Sequence, residues 1–403
     1  MELFWLEHKK LWRKKIVKIC VLLCFVYCVI FGSILSFQWF CFGSSDDYTS
    51  AFGNNFDGYT VIKDSQEYAL SFGGELTDET LQQIVSDYQQ MEADGMEEEL
   101  EKTDWQIVNS WLGTLYPELR DTSNYKTMIS YVDPDKLTGF YERRQQVLDE
   151  FLEISGQVGA EKEFLHQMER KVEKPFHYEW VEGWSTLLGS MVADLGVVMA
   201  LFLGIVLSSL FAGEWHDNTS TLVLTTRNGW GKIALAKILT GFAFTVELFA
   251  LLAVSSIISQ LFFMGTAGWD MPIQNIKLIA VAPMNMLQAE IYEYAFVLLG
   301  AIGFAGIVMF ISAAVKNNVL TLLLSLAVVY GPMMIAEYLP YEMQKALDLI
   351  PLVGSSTDIF RTNTFRIFGK LIWSPYLLIT IPVLIGILCM PFAIKSWSRR
   401  MKA

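Results

Sequence analysis

The sequence predicts an all-α integral membrane protein, with six transmembrane helices and a mostly helical extracellular domain between the first two. The 403-residue chain is 53% hydrophobic and only 18% charged, which is too apolar for an ordinary soluble domain of this size. Six apolar runs are each long enough to cross the ~30 Å hydrocarbon layer of a bilayer. The charge is also divided, because residues 43–185 carry 30 acidic and 11 basic side chains and the remainder carries 13 acidic and 19 basic. The acidic segment argues against a nucleic-acid partner, whose phosphates it would repel.

The N-terminus combines an amphipathic pattern with positive charge. Residues 1–15 predict an interfacial helix whose apolar face carries Phe4, Trp5, His8, Leu11 and Trp12. A merely basic flank that orients the chain fits the same residues. The first transmembrane helix is predicted at 16–42, and the six basic residues before position 19 place the N-terminus in the cytoplasm.

The acidic segment 43–185 is predicted to fold as an extracellular domain with its own core. It contains no cysteine, so no disulfide framework stabilises it. Helical periodicity predicts one helix over Glu79–Met91 and one long helix from about Lys136 to Val172, which ends before Pro175. The acidic run at 97–101 indicates a solvated face, although cations or cationic peptides would also suit it.

The region 186–394 is predicted to hold the other five transmembrane helices. Trp180 and Trp184, just before it, suggest an interfacial belt. A loop at 213–232 between the second and third helices is predicted to be cytoplasmic, as is the basic tail at 395–403. The apolar runs lie at 186–212, 233–263, 289–314, 319–337 and 373–394.

No catalytic or metal-binding pattern is found in the sequence. A phosphate-binding GxxxxGK loop, HExxH, CxxC and GxSxG are all absent, so the chain is not predicted to be an enzyme or to bind a metal or cofactor. Cys20, Cys24 and Cys28 share one helical face and are predicted to be packing residues.

Two carboxylates are predicted to lie within the membrane. Asp194 and Glu247 fall inside the second and third apolar runs, and they suit either a translocation pathway or a packing role. Glu290, Glu293 and Glu337 lie near the ends of apolar runs, where they are expected to reach water.

The polar loop after the second apolar run carries a recognisable local pattern. It contains Phe211-Ala212-x-Glu214, then the patch Thr219-Ser220-Thr221-Leu222, the pair Thr226-Arg227, and Lys237 at the start of the third run. Together with the basic N-terminus and the large outer domain, this order resembles the permease subunits of type 2 exporters of the ABC transporter class. That family usually has Gly where this chain has Asn218, and Asn also tolerates a left-handed turn.

The resemblance implies a bacterial cell-membrane protein that has no ATPase of its own. ATP and Mg²⁺ would be bound by a separate ATP-binding cassette subunit, and a second permease chain, identical or related, would complete the pathway through the lipid. The exported cargo would be a lipid, a drug or an antimicrobial peptide. The residues implied in coupling to the ATPase are Glu214, Trp215, Asp217, Thr226, Arg227 and Lys232.

Two other classes of function compete with export. A receptor or sensor would bind its ligand in the acidic outer domain, but such a protein normally carries a cytoplasmic output domain, and the longest inner segment here is about twenty residues. An intramembrane enzyme would need paired polar groups at one depth, for which Asp194 and Glu247 are the candidates.

Overall fold

The computed structural model describes residues 2–30, 66, 73–95, 105–121, 123–124, 126–188, 192–216, 231–354, 359–360 and 362–399. These residues are mostly helical. Five of the described helices are long and apolar enough to cross a membrane, which indicates a multi-pass membrane protein. The predicted first transmembrane helix, residues 16–42, is described only as far as residue 30, so its outer half lies outside the described residues. We call the side of the bundle that carries residues 73–188 the outer side and the opposite side the inner side.

The N-terminal part of the chain forms two consecutive helices. Helix α1 spans Glu2–Arg13, and α2 spans Lys15–Val29 after a break at Lys14, whose extended backbone separates the two. Helix α2 buries Cys20, Cys24 and Cys28, all at most 3% exposed, against the other spans. The predicted packing role of this cysteine stripe is therefore confirmed.

The outer domain is built from short helices around an aromatic core. Its two-residue strands, β1 (Gly74–Glu75) and β2 (His177–Tyr178), pair antiparallel and join the beginning of the domain to its end. The core contains Trp111, Tyr116 and Phe140. The helices are α3 (Asp78–Ala93), α4 (Trp105–Leu115), α5 (Phe140–Ile154), α6 (Ala160–Glu169) and the short α7 (Glu182–Thr186).

The single long helix predicted over Lys136–Val172 is wrong. The chain leaves the helix after Ile154 because Gly156 adopts a left-handed conformation, with φ 72°, and its amide caps the carbonyl of Glu153. A second positive φ, 59° at Gly159, reorients the chain before α6 begins. Ile154, the last residue of α5, is 86% exposed.

The five spans follow the predicted order with bounds shifted by a few residues. Helix α10 (Met286–Ala314) packs most extensively against α13 (Ser374–Arg399), where glycines allow a close approach. A Cβ atom on Gly303 would lie 2.3 Å from the Pro382 carbonyl oxygen, and one on Gly306 would lie 2.6 Å from Gly386. The spans are α8 (Val192–His216), α9 (Lys232–Met264), α10 (Met286–Ala314), α11 (Asn318–Ala336) and α13 (Ser374–Arg399).

The chain between α11 and α13 lies on the outer side and contains a hairpin that was not predicted. Helix α12 (Tyr341–Leu347) is a short helix in this segment. Strands β3 (Thr364–Ile367) and β4 (Lys370–Trp373) pair antiparallel around the two-residue turn Phe368-Gly369, where both residues have positive φ.

The outer domain is seated directly on the outer ends of the spans. Arg144 of α5 is fully buried, and its Nε and Nη2 donate to the carbonyls of Leu278 and Ala280 at 2.6 and 3.1 Å. Its guanidinium also forms a bidentate pair with buried Glu169. Trp180 and Trp184, expected in an interfacial belt, are instead buried, and their indole nitrogens donate to backbone carbonyls at the outer end of α9, those of Met264 and Thr266. The domain and the loop between α9 and α10 therefore share a core.

Candidate functional site

The inner ends of α8 and α9 bring opposite charges together. Glu214 lies in the last turn of α8, and Lys237 lies in the second turn of α9. Both helices are otherwise apolar here, and an unpaired charge in such surroundings costs several kcal/mol. Lys237 Nζ donates to Glu214 Oε1 at 2.8 Å. The two residues are 4% and 1% exposed, so the pair is buried.

Helix α1 adds two further charged residues to this ion pair. Lys237 Nζ also donates to Glu7 Oε2 at 2.8 Å, and Lys10 Nζ donates to Glu214 Oε1 at 2.6 Å. Lys14 Nζ donates to the Ser209 hydroxyl at 2.9 Å. Glu7, Lys10, Glu214 and Lys237 thus alternate in sign and tie three segments of the chain together, and we call these four residues the inner charge cluster.

Helix α1 makes a second polar contact farther along α9. Glu247 accepts a hydrogen bond from Trp12 Nε1 at 3.0 Å and lies 3.1 Å from His8 Nε2. The Trp12 ring also packs edge-on against Phe244 at 5.7 Å between centroids. The Glu247 carboxylate is 42% exposed, so it faces the surface of the described bundle as well as α1.

The other intramembrane candidate, Asp194, does not join Glu247. It lies near the outer end of α8, whereas Glu247 contacts the N-terminal helix near the middle of α9. The Asp194 side chain lies outside the described part of the structure. Within the described residues, Glu247 thus has partners on α1 and not on the other spans.

The predicted coupling residues have different environments. Trp215 packs against Trp397 of α13 at 6.0 Å between ring centroids, and Lys316 Nζ lies 4.6 Å from the centre of its ring. Lys232 is exposed at the first position of α9. Asp217, Thr226 and Arg227 lie outside the described residues. The α8 end, the α10–α11 turn and the end of α13 therefore meet on the inner side.

Glu214, one of the residues implied in coupling to an ATPase, is buried. At 4% exposure, its carboxylate is turned into the inner charge cluster. The reason is that α1 and Lys237 supply two ammonium groups that solvate it inside the bundle. Glu214 thus joins the end of α8 to α9 and α1.

Several polar residues of this arrangement were missed from the sequence. Glu7 and Lys10 lie on one helical face, with the i, i+3 spacing that makes neighbours on a helix, and this spacing was the available signal.

Glu290 and Glu293, near the outer end of α10, were expected to reach water and are instead 3% and 0% exposed. Their burial results from the seating of the outer loops on the spans, which no local pattern reveals.

The outer domain has an open cleft beside Asp78, Tyr141 and Lys174. Two of its polar side chains, those of Asp78 and Tyr141, hold the backbone of the domain together. Asp78 accepts the amide hydrogens of Gly139 and Phe140 at 2.7 and 3.0 Å, and the Tyr141 hydroxyl donates to the Leu76 carbonyl at 2.8 Å. Burial raises the pKa of Tyr141 to about 12, so its phenol stays neutral. This cleft therefore gives no specific support to a receptor function.

Comparison with known proteins adds no identification. No family model, no curated protein and no solved structure matches this chain.

Proposed function

We propose that this chain is the membrane-spanning permease subunit of an ATP-driven exporter. It lies in the bacterial cell membrane with both termini in the cytoplasm and pairs with a second permease chain. A separate ATP-binding cassette subunit hydrolyses ATP, and the cargo is a lipid, a drug or an antimicrobial peptide. The segment 213–232 receives the movement of that subunit.

The observation that carries this proposal is the inner charge cluster. Glu214 and Lys237 flank the 213–232 loop, one on the helix that enters it and the other on the helix that leaves it. Their direct contact holds the two ends of the loop together, and Glu7 and Lys10 fix the same pair to α1. A displacement of this loop would therefore move α8 and α9 together, because their ends are held to each other and do not unwind separately.

The cluster is strong enough for this mechanical role. A buried ion pair that loses one partner typically costs ~3–5 kcal/mol, because the remaining charge is left in a poorly polar environment. Separation of α8 from α9 at this end would break Glu214–Lys237, and removal of α1 would leave both with fewer partners. The arrangement therefore favours joint movement of the three segments.

The packing of Trp215 extends the connection across the bundle. Its ring contacts Trp397 of α13, and Phe211, one turn earlier on α8, lies 5.4 Å from the same Trp397 ring. Ser312 of α10 accepts the amide hydrogens of Phe211 and Ala212 at 3.1 Å. Displacement of the loop would thus reach α10 and α13, which are packed together through their glycines.

The proposal is tested by purification from the native cells. The tagged chain is extracted in mild detergent, and copurifying proteins are identified by mass spectrometry. We expect a protein with a GxxxxGK motif at about one per permease, and we expect it to be lost with Arg227→Glu in the loop. The matched control is Lys126→Glu, a charge reversal at an exposed lysine of the outer domain, which must retain the partner.

Isolation of this chain alone, or with a signalling protein only, would contradict export. It would favour the receptor alternative.

A further inference from the structure

Four polar side chains are buried together at the outer ends of α9 and α10. Gln260, Glu290, Glu293 and Tyr294 are 0%, 3%, 0% and 8% exposed. Within the described residues, the side-chain polar atoms of Gln260 and Glu293 have no hydrogen-bond partner, and the Glu290 carboxylate lies beside the Tyr294 hydroxyl. Buried polar groups are normally paired, so an unpaired set of this kind calls for an explanation.

The two helices place these groups on facing sides. Tyr294 of α10 packs edge-on against Phe249 of α9 at 6.1 Å between ring centroids, and the Ser256 hydroxyl of α9 also faces Tyr294. The helices are joined by the outer loop, so they run antiparallel. Residues four apart share a helical face, so Gln260 follows Ser256 one turn outward while Glu290 precedes Tyr294 by one turn. This spacing places Gln260 and Glu290 at the same level of the two helices, one turn outward from Ser256 and Tyr294.

Glu293 adds a second carboxylate beside Glu290. The two are three residues apart on α10, which makes them neighbours on one helical face, and the charge of Glu290 acts on Glu293. The described cation that acts on Glu293 is Lys277, which is exposed and lies 6.0 Å from the centre of the Phe360 ring. Two carboxylates in a dry site repel each other strongly, and one partly solvated lysine does not neutralise both.

We propose that these four residues form a binding site for a hard cation of the Ca²⁺ class. The carboxylates of Glu290 and Glu293 supply the charge, and the amide oxygen of Gln260 and the hydroxyl of Tyr294 supply neutral ligands. Oxygen ligands with two carboxylates suit Ca²⁺, which takes six to eight oxygens in flexible geometry. None of the four offers the imidazole or thiolate that Zn²⁺ or copper prefers.

Such an ion would join α9 to α10 directly beneath the outer domain. The loop that connects these helices carries Leu278 and Ala280, the carbonyl partners of Arg144. Cation binding therefore stabilises the contact between the outer domain and the α9–α10 loop as well as the packing of α9 on α10. This role is independent of whether the chain exports a cargo.

The test uses the purified full chain in detergent after removal of divalent cations with a chelator. Binding of Ca²⁺ is measured by isothermal titration and by the change in melting temperature. We expect one Ca²⁺ per chain, with a dissociation constant on the order of 10⁻⁴–10⁻³ M as in extracellular sites, and a higher melting temperature. The isosteric variants Glu290→Gln and Glu293→Gln are expected to bind at least about tenfold more weakly, because each removes a charged ligand.

Glu337→Gln is the matched control, since Glu337 is an exposed carboxylate at the outer end of α11, and it must bind as the wild type does. Absence of Ca²⁺ binding by the wild type at several millimolar would overturn the proposal, as would undiminished binding by both Gln variants. If the Gln variants do not accumulate as monodisperse protein, Gln260→Met decides, because loss of its neutral oxygen must weaken binding and unchanged binding contradicts the site.

Discussion

The inner charge cluster gives a prediction whose size follows from its contacts. We consider Glu214→Gln, Lys237→Met and the double variant. In Glu214→Gln, Lys237 retains Glu7 at 2.8 Å, so one of its two charged partners survives. In Lys237→Met, Glu214 retains Lys10 at 2.6 Å. A hydrogen bond to a charged group contributes ~1.5–3 kcal/mol, so each single change is expected to cost ~2–4 kcal/mol.

The double variant is expected to cost less than the sum of the two single changes. Removal of both partners eliminates the pair without leaving either charge buried alone, so a coupling free energy of ~1–3 kcal/mol is expected. Stability is measured as the apparent melting temperature of purified protein in detergent, with the same heating rate for every variant. Lys232→Met, at an exposed lysine of the same helix, is the control and must leave the melting temperature unchanged. Additive costs in the double variant, or unchanged melting temperatures in the single variants, would refute the reasoning.

Three further changes test the outer domain and the intramembrane carboxylate. Arg144→Met removes a buried guanidinium and is expected to lower stability by ~3–5 kcal/mol, whereas Arg170→Met at an exposed position leaves the melting temperature unchanged. Glu247→Gln keeps an acceptor for His8, and because the carboxylate is 42% exposed a cost of only ~0–1 kcal/mol is expected; a large fall in melting temperature would contradict this. Burial raises the pKa of the Glu182 carboxyl above its usual value of 4.5, so the folded state binds this proton more tightly than the unfolded state does. The free energy of unfolding is therefore expected to fall as the pH rises from 4.5 to the raised pKa. Glu182→Gln is expected to flatten that fall, measured as melting temperature against pH.

The sequence was informative where a single local pattern decided the outcome. The cysteine stripe at 20, 24 and 28 follows from helical periodicity alone, and the structure buries all three residues. The long apolar runs also located five spans to within a few residues, since length and hydropathy are local properties. The close approach of α10 to α13 at Gly303 and Gly306 likewise depends on a local property, because small residues permit helix contact in membranes.

The sequence was uninformative where distant parts of the chain decide the environment. Glu214 is buried by Lys10, which is 204 residues away, so its environment cannot be read from the loop pattern. The break at Gly156 was missed because the apolar periodicity resumes in α6 and hid the left-handed residue between two helices. The burial of Glu290 and Glu293 depends on how the outer loops are seated, and their position near the end of an apolar run indicated the opposite.

We propose that a separate ATPase binds the 213–232 loop. Photo-crosslinking in the native cells tests this binding, with a benzophenone amino acid placed at position 227 in the loop or at position 126 on the outer domain. We predict that position 227 crosslinks to a protein carrying GxxxxGK and that position 126 does not. Failure of position 227 to capture such a protein, under conditions in which the chain is present in the membrane, would contradict a coupling role of the loop.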